Sequence, residues 1–245
     1  MKKFLITICV YIGIVGIGMA ETMNVTWYNT DGTVYDTTMC TVGGTLILPA
    51  SPTRRGYTFK GWAFYNQIEY IKSTGTQWID TGVNPGDNSS FEWQLDFAFA
   101  SSGNNYNYSG HGVGSWIKFD IKNATTVGIQ ASGNNQETRL TTNPFNRHLY
   151  RMSSSGFCSL DGQEYTLDYD KSVSRGTLYI FSVNKVSSSY SSGYFYSSRI
   201  WANNTLVRDF IPVLDYDGVA CLYDKVSNTF FYNAGTGDFI AGPAL

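Results

Sequence analysis

The chain has 245 residues, with 17 Lys and Arg against 19 Asp and Glu for a formal charge of −2; 16% of it is aromatic and 15% charged, with 25 Gly and 18 Tyr. The charges are spread without blocks, so the basic footprint of a nucleic-acid binder is missing. Few charges, many aromatics and many glycines suit short strands joined by tight turns, and the composition predicts an all-β chain.

In chain order, Lys2 and Lys3 precede an uncharged apolar run from Phe4 to Met19, with Gly18 and Ala20 as small residues ahead of Glu21. The run is short for a spanning helix, which needs roughly 20 residues, and it reads as a signal peptide over 1–20 cleaved after Ala20. Cleavage removes two lysines and leaves no membrane span in the expected mature chain. Export permits disulfides. Of the four cysteines, Cys9 leaves with the leader and Cys40, Cys158 and Cys221 remain, with no metal-type spacing. A Cys158 to Cys221 disulfide and two buried free thiols both stay open.

Residues 21–67 carry hairpin-type turns at Asp31-Gly32 and Gly43-Gly44 between the apolar segments Val25 to Tyr28, Val34 to Met39 and Leu46 to Leu48. A small β unit is predicted, of a size that folds alone only marginally. It ends in Pro52-Thr53-Arg54-Arg55-Gly56-Tyr57-Thr58-Phe59-Lys60-Gly61-Trp62. There Gly56 and Gly61 bracket a strand with Tyr57 and Phe59 on one face, and Trp62 follows as a plug. This wording resembles the close of the Listeria-Bacteroides repeat, the internalin B-type B repeat of surface proteins. The resemblance implies a shortened β-grasp-like spacer or interaction module.

Residues 68–245 read as one large β domain. It opens with Ile68 to Gly82, IEYIKSTGTQWIDTG, two short apolar segments around a Ser-Thr-Gly-Thr turn. Phe91, Trp93, Leu95, Phe97 and Phe99 then alternate with Glu92, Gln94, Asp96 and Ala98, a half-buried antiparallel strand with one wet or ligand-facing side. Further strands are predicted at Ser115 to Ile121, Thr126 to Ala131, His148 to Ser153 and Phe157 to Leu160, the last turning at Asp161-Gly162 into Gln163 to Leu167. Thr177 to Val183, Tyr194 to Trp201, Leu206 to Leu214, Gly218 to Tyr223 and Thr229 to Tyr232 complete them. About a dozen strands without an amphipathic helix favour a two-sheet sandwich.

The opening motif, together with the closing LVRDFIPV and GVACLYDKVSNTFFYNAGTGDF, resembles concanavalin A-like (laminin-G-type) lectin domains of bacterial exported proteins. The resemblance implies a two-sheet antiparallel jelly-roll sandwich, with first and last strands side by side and Tyr70 and Ile71 near Phe230 and Phe231. It also implies a rim calcium, for which the oxygen-rich candidates are Asp168 with Asp170 and Asp215 with Asp217. A D-x-D turn is more often an Asx turn with solvated side chains.

Catalysis has little sequence support. Glycoside hydrolysis needs two carboxylates flanking a cleft, roughly 5 to 9.5 Å apart, whereas Glu92 and Asp96 lie about 13 Å apart along one strand. His111 and His148 have no nucleophile motif beside them. Sugar binding would need aromatic faces and amide or carboxylate partners, and the loop with Tyr106, Tyr108 and His111, followed by Trp116, supplies them. Trp78, Trp93 and Trp201 sit in strand patterns and read as core. The expectation is therefore a non-catalytic secreted, cell-surface or periplasmic protein recognising a glycan or a host or cell-surface protein; the alternative is a structural or protein-interaction module.

Overall fold

The computed structural model describes residues 2–11, 22–29, 33–41, 47–53, 55, 57–63, 65–88, 90–100, 107–112, 116–131, 136–167, 176–183, 190–215 and 217–245. They are nearly all strand, and the one helical element among them is the single 3-10 turn Pro85–Asp87. No helix among the described residues is long and apolar enough to cross a membrane. The chain divides into two compact units, residues 1–67 with 214–218, and residues 68–213 with 219–245.

The first unit contains β1 (Lys2–Tyr11), β2 (Thr22–Asn29), β3 (Val34–Thr41), β4 (Tyr57–Ala63) and β5 (Asn66–Gln67). Four of them form a sheet in the order β3-β2-β1-β4, with β1 antiparallel to β2 and parallel to β4. The stretch beginning the expected leader is thus β1 in the full chain, and residues 12–20 lie outside the described residues. Alternation along β2 buries Val25 and Trp27, and Trp27 Nε1 donates to Thr38 Oγ1 at 2.8 Å. Two sequence expectations are corrected here. Ile47 and Leu48 are exposed and outside any strand, ahead of Pro49, which cannot donate to a ladder. The strand from Tyr57 does not stop at Gly61 but runs to Ala63, because the register against β1 slips by one residue between the pairs Phe4↔Phe59 and Ile6↔Trp62. Gly61 lies inside that bulge, where a missing side chain is tolerated.

The second unit is an all-β sandwich. Its strands are β6 (Ile71–Thr74), β7 (Ile79–Asp80), β8 (Phe91–Phe99), β9 (Asn107–Gly112), β10 (Trp116–Asn123), β11 (Thr126–Ala131), β12 (Gln136–Thr141), β13 (His148–Ser153), β14 (Phe157–Leu160), β15 (Gln163–Thr166), β16 (Tyr179–Ile180), β17 (Ser192–Ala202), β18 (Thr205–Leu214), β19 (Ala220–Asp224), β20 (Thr229–Phe231) and β21 (Ile240–Ala241). The smaller sheet runs β12-β11-β10-β9-β16-β7, and the larger β15-β14-β13-β8-β17-β18-β19-β20, with β6 beside the first half of β17 and β21 beside β6. The predicted two-residue turn at Asp161-Gly162 takes the left-handed geometry that short hairpins require, at φ 50 and 85, and so does a second at Asn203-Asn204, at φ 51 and 60.

Aromatic side chains fill the space between the sheets. Trp93 of β8 meets Phe119 of β10 at 4.9 Å between ring centroids, Phe119 meets Tyr150 of β13 at 5.0 Å, and Phe97 meets Phe181 at 5.4 Å. Trp93 is fully buried with its Nε1 donating to Ser198 Oγ at 2.9 Å, so it is core, as its strand position predicts. Cys40, Cys158 and Cys221 are buried thiols outside any disulfide, and burial pushes the Cys158 thiol up to about 11.

The opening and closing motifs form one seam. Gln77, 3% exposed, uses its side-chain carbonyl Oε1 to accept from Ser73 Oγ, Thr74 N and Thr74 Oγ1 at 3.1, 2.8 and 3.2 Å, closing the Ser-Thr-Gly-Thr turn. Asn233 Oδ1 accepts from Trp78 N and Gly235 N at 3.1 and 2.8 Å, while Ala234 N and Thr236 N donate to Trp78 O and Thr76 O. Gly235 packs so closely that a Cβ there would lie 2.0 Å from Thr76 O. The first strand of the unit does lie beside the last, but its partner differs from the expected one. Ile71 and Lys72 pair with Ala241 and Ile240, and not with Phe230 and Phe231, which pair with β19.

Candidate functional site

Alternation along β8 leaves Phe91, Trp93, Leu95 and Phe97 buried and Glu92, Gln94 and Asp96 half-buried on the opposite face of the large sheet. This is the wet side that the period-two pattern predicts. Antiparallel pairing sets three rows across it: Ser153, Glu92 and Trp201; Arg151, Gln94 and Arg199; Leu149, Asp96 and Ser197. Directly opposed residues share a face, so each row is a set of neighbouring side chains.

A bulge in β17 adds a further aromatic. The pairing with β8 slips between Phe195↔Phe97 and Ser197↔Asp96, leaving Tyr196 as the extra residue. Bulges re-aim side chains next to them. Tyr196 takes the Arg147 guanidinium over its ring at 4.1 Å and meets Tyr70 edge-on at 5.9 Å; Tyr70 in turn meets Tyr194 at 5.0 Å. Arg147 donates both Nε and Nη2 to Asp96, at 2.8 and 2.6 Å, and this bond raises its pKa; burial raises that of the Tyr196 phenol.

At the other end of the face, Ser90, Phe91, Glu92, Ser153, Ser154, Ser155, Trp201 and Asn204 surround a hollow of about 400 Å³. Its floor is fixed by backbone bonds. Ser154 N donates to Phe91 O, Asn203 N donates to Ser90 O, and Phe91 N donates to Ser154 Oγ at 3.0 Å. Its walls keep polar groups on hand. Glu92 Oε1 accepts from Arg151 Nη2 at 2.8 Å, the Ser153 and Ser155 hydroxyls meet at 2.7 Å, and Ser90 Oγ donates to Asn204 Oδ1 at 3.2 Å. Trp201 is half-buried, presenting an aromatic surface beside a carboxylate, an amide and several hydroxyls. A second hollow of about 200 Å³, lined by Gln94, Asp96, Leu149, Ser197, Ser198 and Arg199, lies further along the same face.

Trp201 corrects the expectation that it belongs to the core. In Arg199-Ile200-Trp201-Ala202 it shares the phase of Arg199 and not of buried Ile200, a signal readable in sequence but obscured upstream by the bulge at Tyr196. Trp78, by contrast, is 7% exposed and does belong to the core.

The residues that sequence singled out fall elsewhere. Tyr106 lies outside the described residues. Tyr108 and His111 lie on β9 and Trp116 opens β10, both in the smaller sheet; His111 pairs with Ile117 and Gly112 with Trp116 in backbone register, while the side chains of the three residues lie outside what is described. Asp168 and Asp170 also lie outside the described residues. Asp215 is 5% exposed and its Oδ1 accepts from Asp217 N at 3.0 Å, an Asx turn closed further by Gly218 N donating to Asp215 O. Asp217 is exposed. Among the described residues, no group of three or more His, Cys, Asp and Glu side chains is placed to hold a metal ion.

His148, which sequence left without a role, joins three elements. Its Nδ1 meets Asp161 Oδ2 at 2.6 Å and its Nε2 meets Asn143 O at 2.9 Å, tying β13 to the β14–β15 turn. The Thr142 hydroxyl Oγ1 also meets Nε2, at 3.4 Å.

No curated protein matches the chain. Residues 24–82 match the family model of the Listeria-Bacteroides repeat domain, a repeat found in surface and exported bacterial proteins.

Proposed function

We infer that this is an exported or cell-surface binding protein whose sandwich is lectin-like and recognises a glycan on the wet face of its large sheet. The observation that carries this reading is the hollow beside Trp201. Ligand sites combine an apolar surface with a few convergent polar groups, and an indole face flanked by Glu92, Ser153, Ser155 and Asn204 suits the apolar face of a sugar ring and its hydroxyls. Export is supported by the matched repeat and by the leader-like residues 1–20.

The binding is read as non-catalytic. Glu92 and Asp96 are each ion-paired, to Arg151 and Arg147 at 2.8 and 2.6 Å. Their spacing along β8 of about 13 Å exceeds the roughly 5 to 9.5 Å at which carboxylate pairs cleave glycosides. The same ion pairs favour a second reading, a protein-interaction or structural module, because a solvated sheet face that binds no sugar would also pair its charges internally.

The test is a glycan array probed with the full chain and with Trp201→Ala. The lectin reading predicts hits that the substitution weakens by about tenfold or more. Hits that Trp201→Ala leaves unchanged would remove this site, and binding to a protein surface independent of glycan would establish the second reading.

A further inference from the structure

Most charges on the wet face are paired one to one. Arg147 is held by Asp96 and Arg151 by Glu92, each at hydrogen-bonding distance. The middle of the face departs from that balance, because Asp209 is shared by two cations, Arg199 Nε at 3.3 Å and Lys225 Nζ at 3.1 Å. One carboxylate against two cations leaves a local excess of one positive charge, in a chain whose formal charge is −2. Arg199 has a 54% exposed side chain and bonds Asp209 through Nε alone, so the edge formed by its Nη1 and Nη2 has no partner among the described residues. That edge is a planar fork matched to a carboxylate.

Position adds the second half. Arg199 is two residues before Trp201 on β17 and on the same face, so the fork stands about 7 Å along the strand from the indole. Arg199 also lines the second hollow, next to the one beside Trp201. A ring seated on Trp201 therefore places its chain neighbour over Arg199.

We propose that the ligand is a linear glycan containing uronic acid, one ring stacked on Trp201 and the carboxylate of a neighbouring ring gripped by Arg199 with Lys225 beside it. This rests on the glycan-binding reading above and narrows it to a class. The charge complementarity is local, so it selects an acidic chain over its neutral counterpart without requiring a strongly basic protein.

The experiment is calorimetric titration of the full chain with a galacturonate oligomer and with the same oligomer carboxyl-reduced, at low and high salt. The proposal predicts about tenfold tighter binding of the galacturonate form, the scale of one charge-assisted contact, and a preference that shrinks as salt rises. Arg199→Gln and, separately, the more conservative surface change Lys225→Gln lower galacturonate affinity and flatten its salt dependence. Equal affinity for the two oligomers overturns the uronate proposal while leaving the glycan reading in place. Binding to neither oligomer, with array hits on unrelated neutral glycans, overturns it in the same way. No binding to any glycan overturns both.

Discussion

The two parts of the sandwich that matter most are opposites in sequence. The seam, built from the Ser-Thr-Gly-Thr-Gln turn at 73–77 and the Asn-Ala-Gly-Thr-Gly stretch at 233–237, is dense with motif residues, and those residues bond to one another. The wet face of β8, β13 and β17 has no motif, yet it holds the half-buried tryptophan, the hollows and a cation pair sharing one carboxylate. The lesson is that recognisable wording in this chain marks how the fold closes, whereas the ligand-competent surface is assembled from residues far apart in sequence.

The largest effect expected from testing this contrast is at the seam. Gly235→Val puts side-chain atoms into Thr76 O, which a Cβ alone would approach to 2.0 Å. A loss of about 3 kcal/mol or more is expected in denaturant unfolding; a midpoint within error of the parent chain would show that the seam gives way easily. Gln77→Ala is next. It leaves Thr74 N without its 2.8 Å acceptor inside a part-buried turn, with an expected cost of about 2 kcal/mol. Neither substitution touches the wet face, so glycan affinity measured on the folded fraction should hold.

Trp201→Ala inverts the pattern. Its stability cost is expected at about 1 kcal/mol, because the ring is only half-buried, while its binding cost is the largest of the set. A large drop in melting temperature without a change in affinity would return Trp201 to a structural role. Smallest at neutral pH is Cys158→Ala measured against pH. Burial holds the folded thiol near 11, above the unfolded value of about 8.5. The folded state therefore binds the extra proton between these values, and the stabilisation it gives is intact below about pH 8.5 and lost as pH rises toward 11. Wild type should lose stability over that window relative to Cys158→Ala, and Cys158 should resist thiol reagents at pH 8 until the chain unfolds.

Much of the architecture is legible in the sequence because local rules and packing agree. The period-two run at Phe91 to Phe99 is β8 with the faces as read, and Asp161-Gly162 and Asn203-Asn204 make the turns that their tolerance of positive φ allows. Failures occur where a ladder slips. The bulge at Lys60-Gly61 prolongs β4 past a glycine that looks like a terminator, and the bulge at Tyr196 breaks the phase that would have placed Trp201 outside. The wet-face site was illegible for a further reason. Ser153, Glu92 and Trp201 become neighbours only through the pairings β13 to β8 and β8 to β17, which no spacing along the chain encodes.

The most direct measurement pits the two candidate surfaces against each other. A glycan taken from the array is titrated by calorimetry into the parent chain, into Trp201→Ala, and into a chain with Tyr106, Tyr108 and Trp116 all changed to Ala, with circular dichroism confirming an unchanged fold. A site on the wet face predicts that affinity falls by about tenfold or more with Trp201→Ala and stays at the parent value in the triple variant. Retained affinity in Trp201→Ala together with loss in the triple variant would contradict it and move the site to the β9–β10 region.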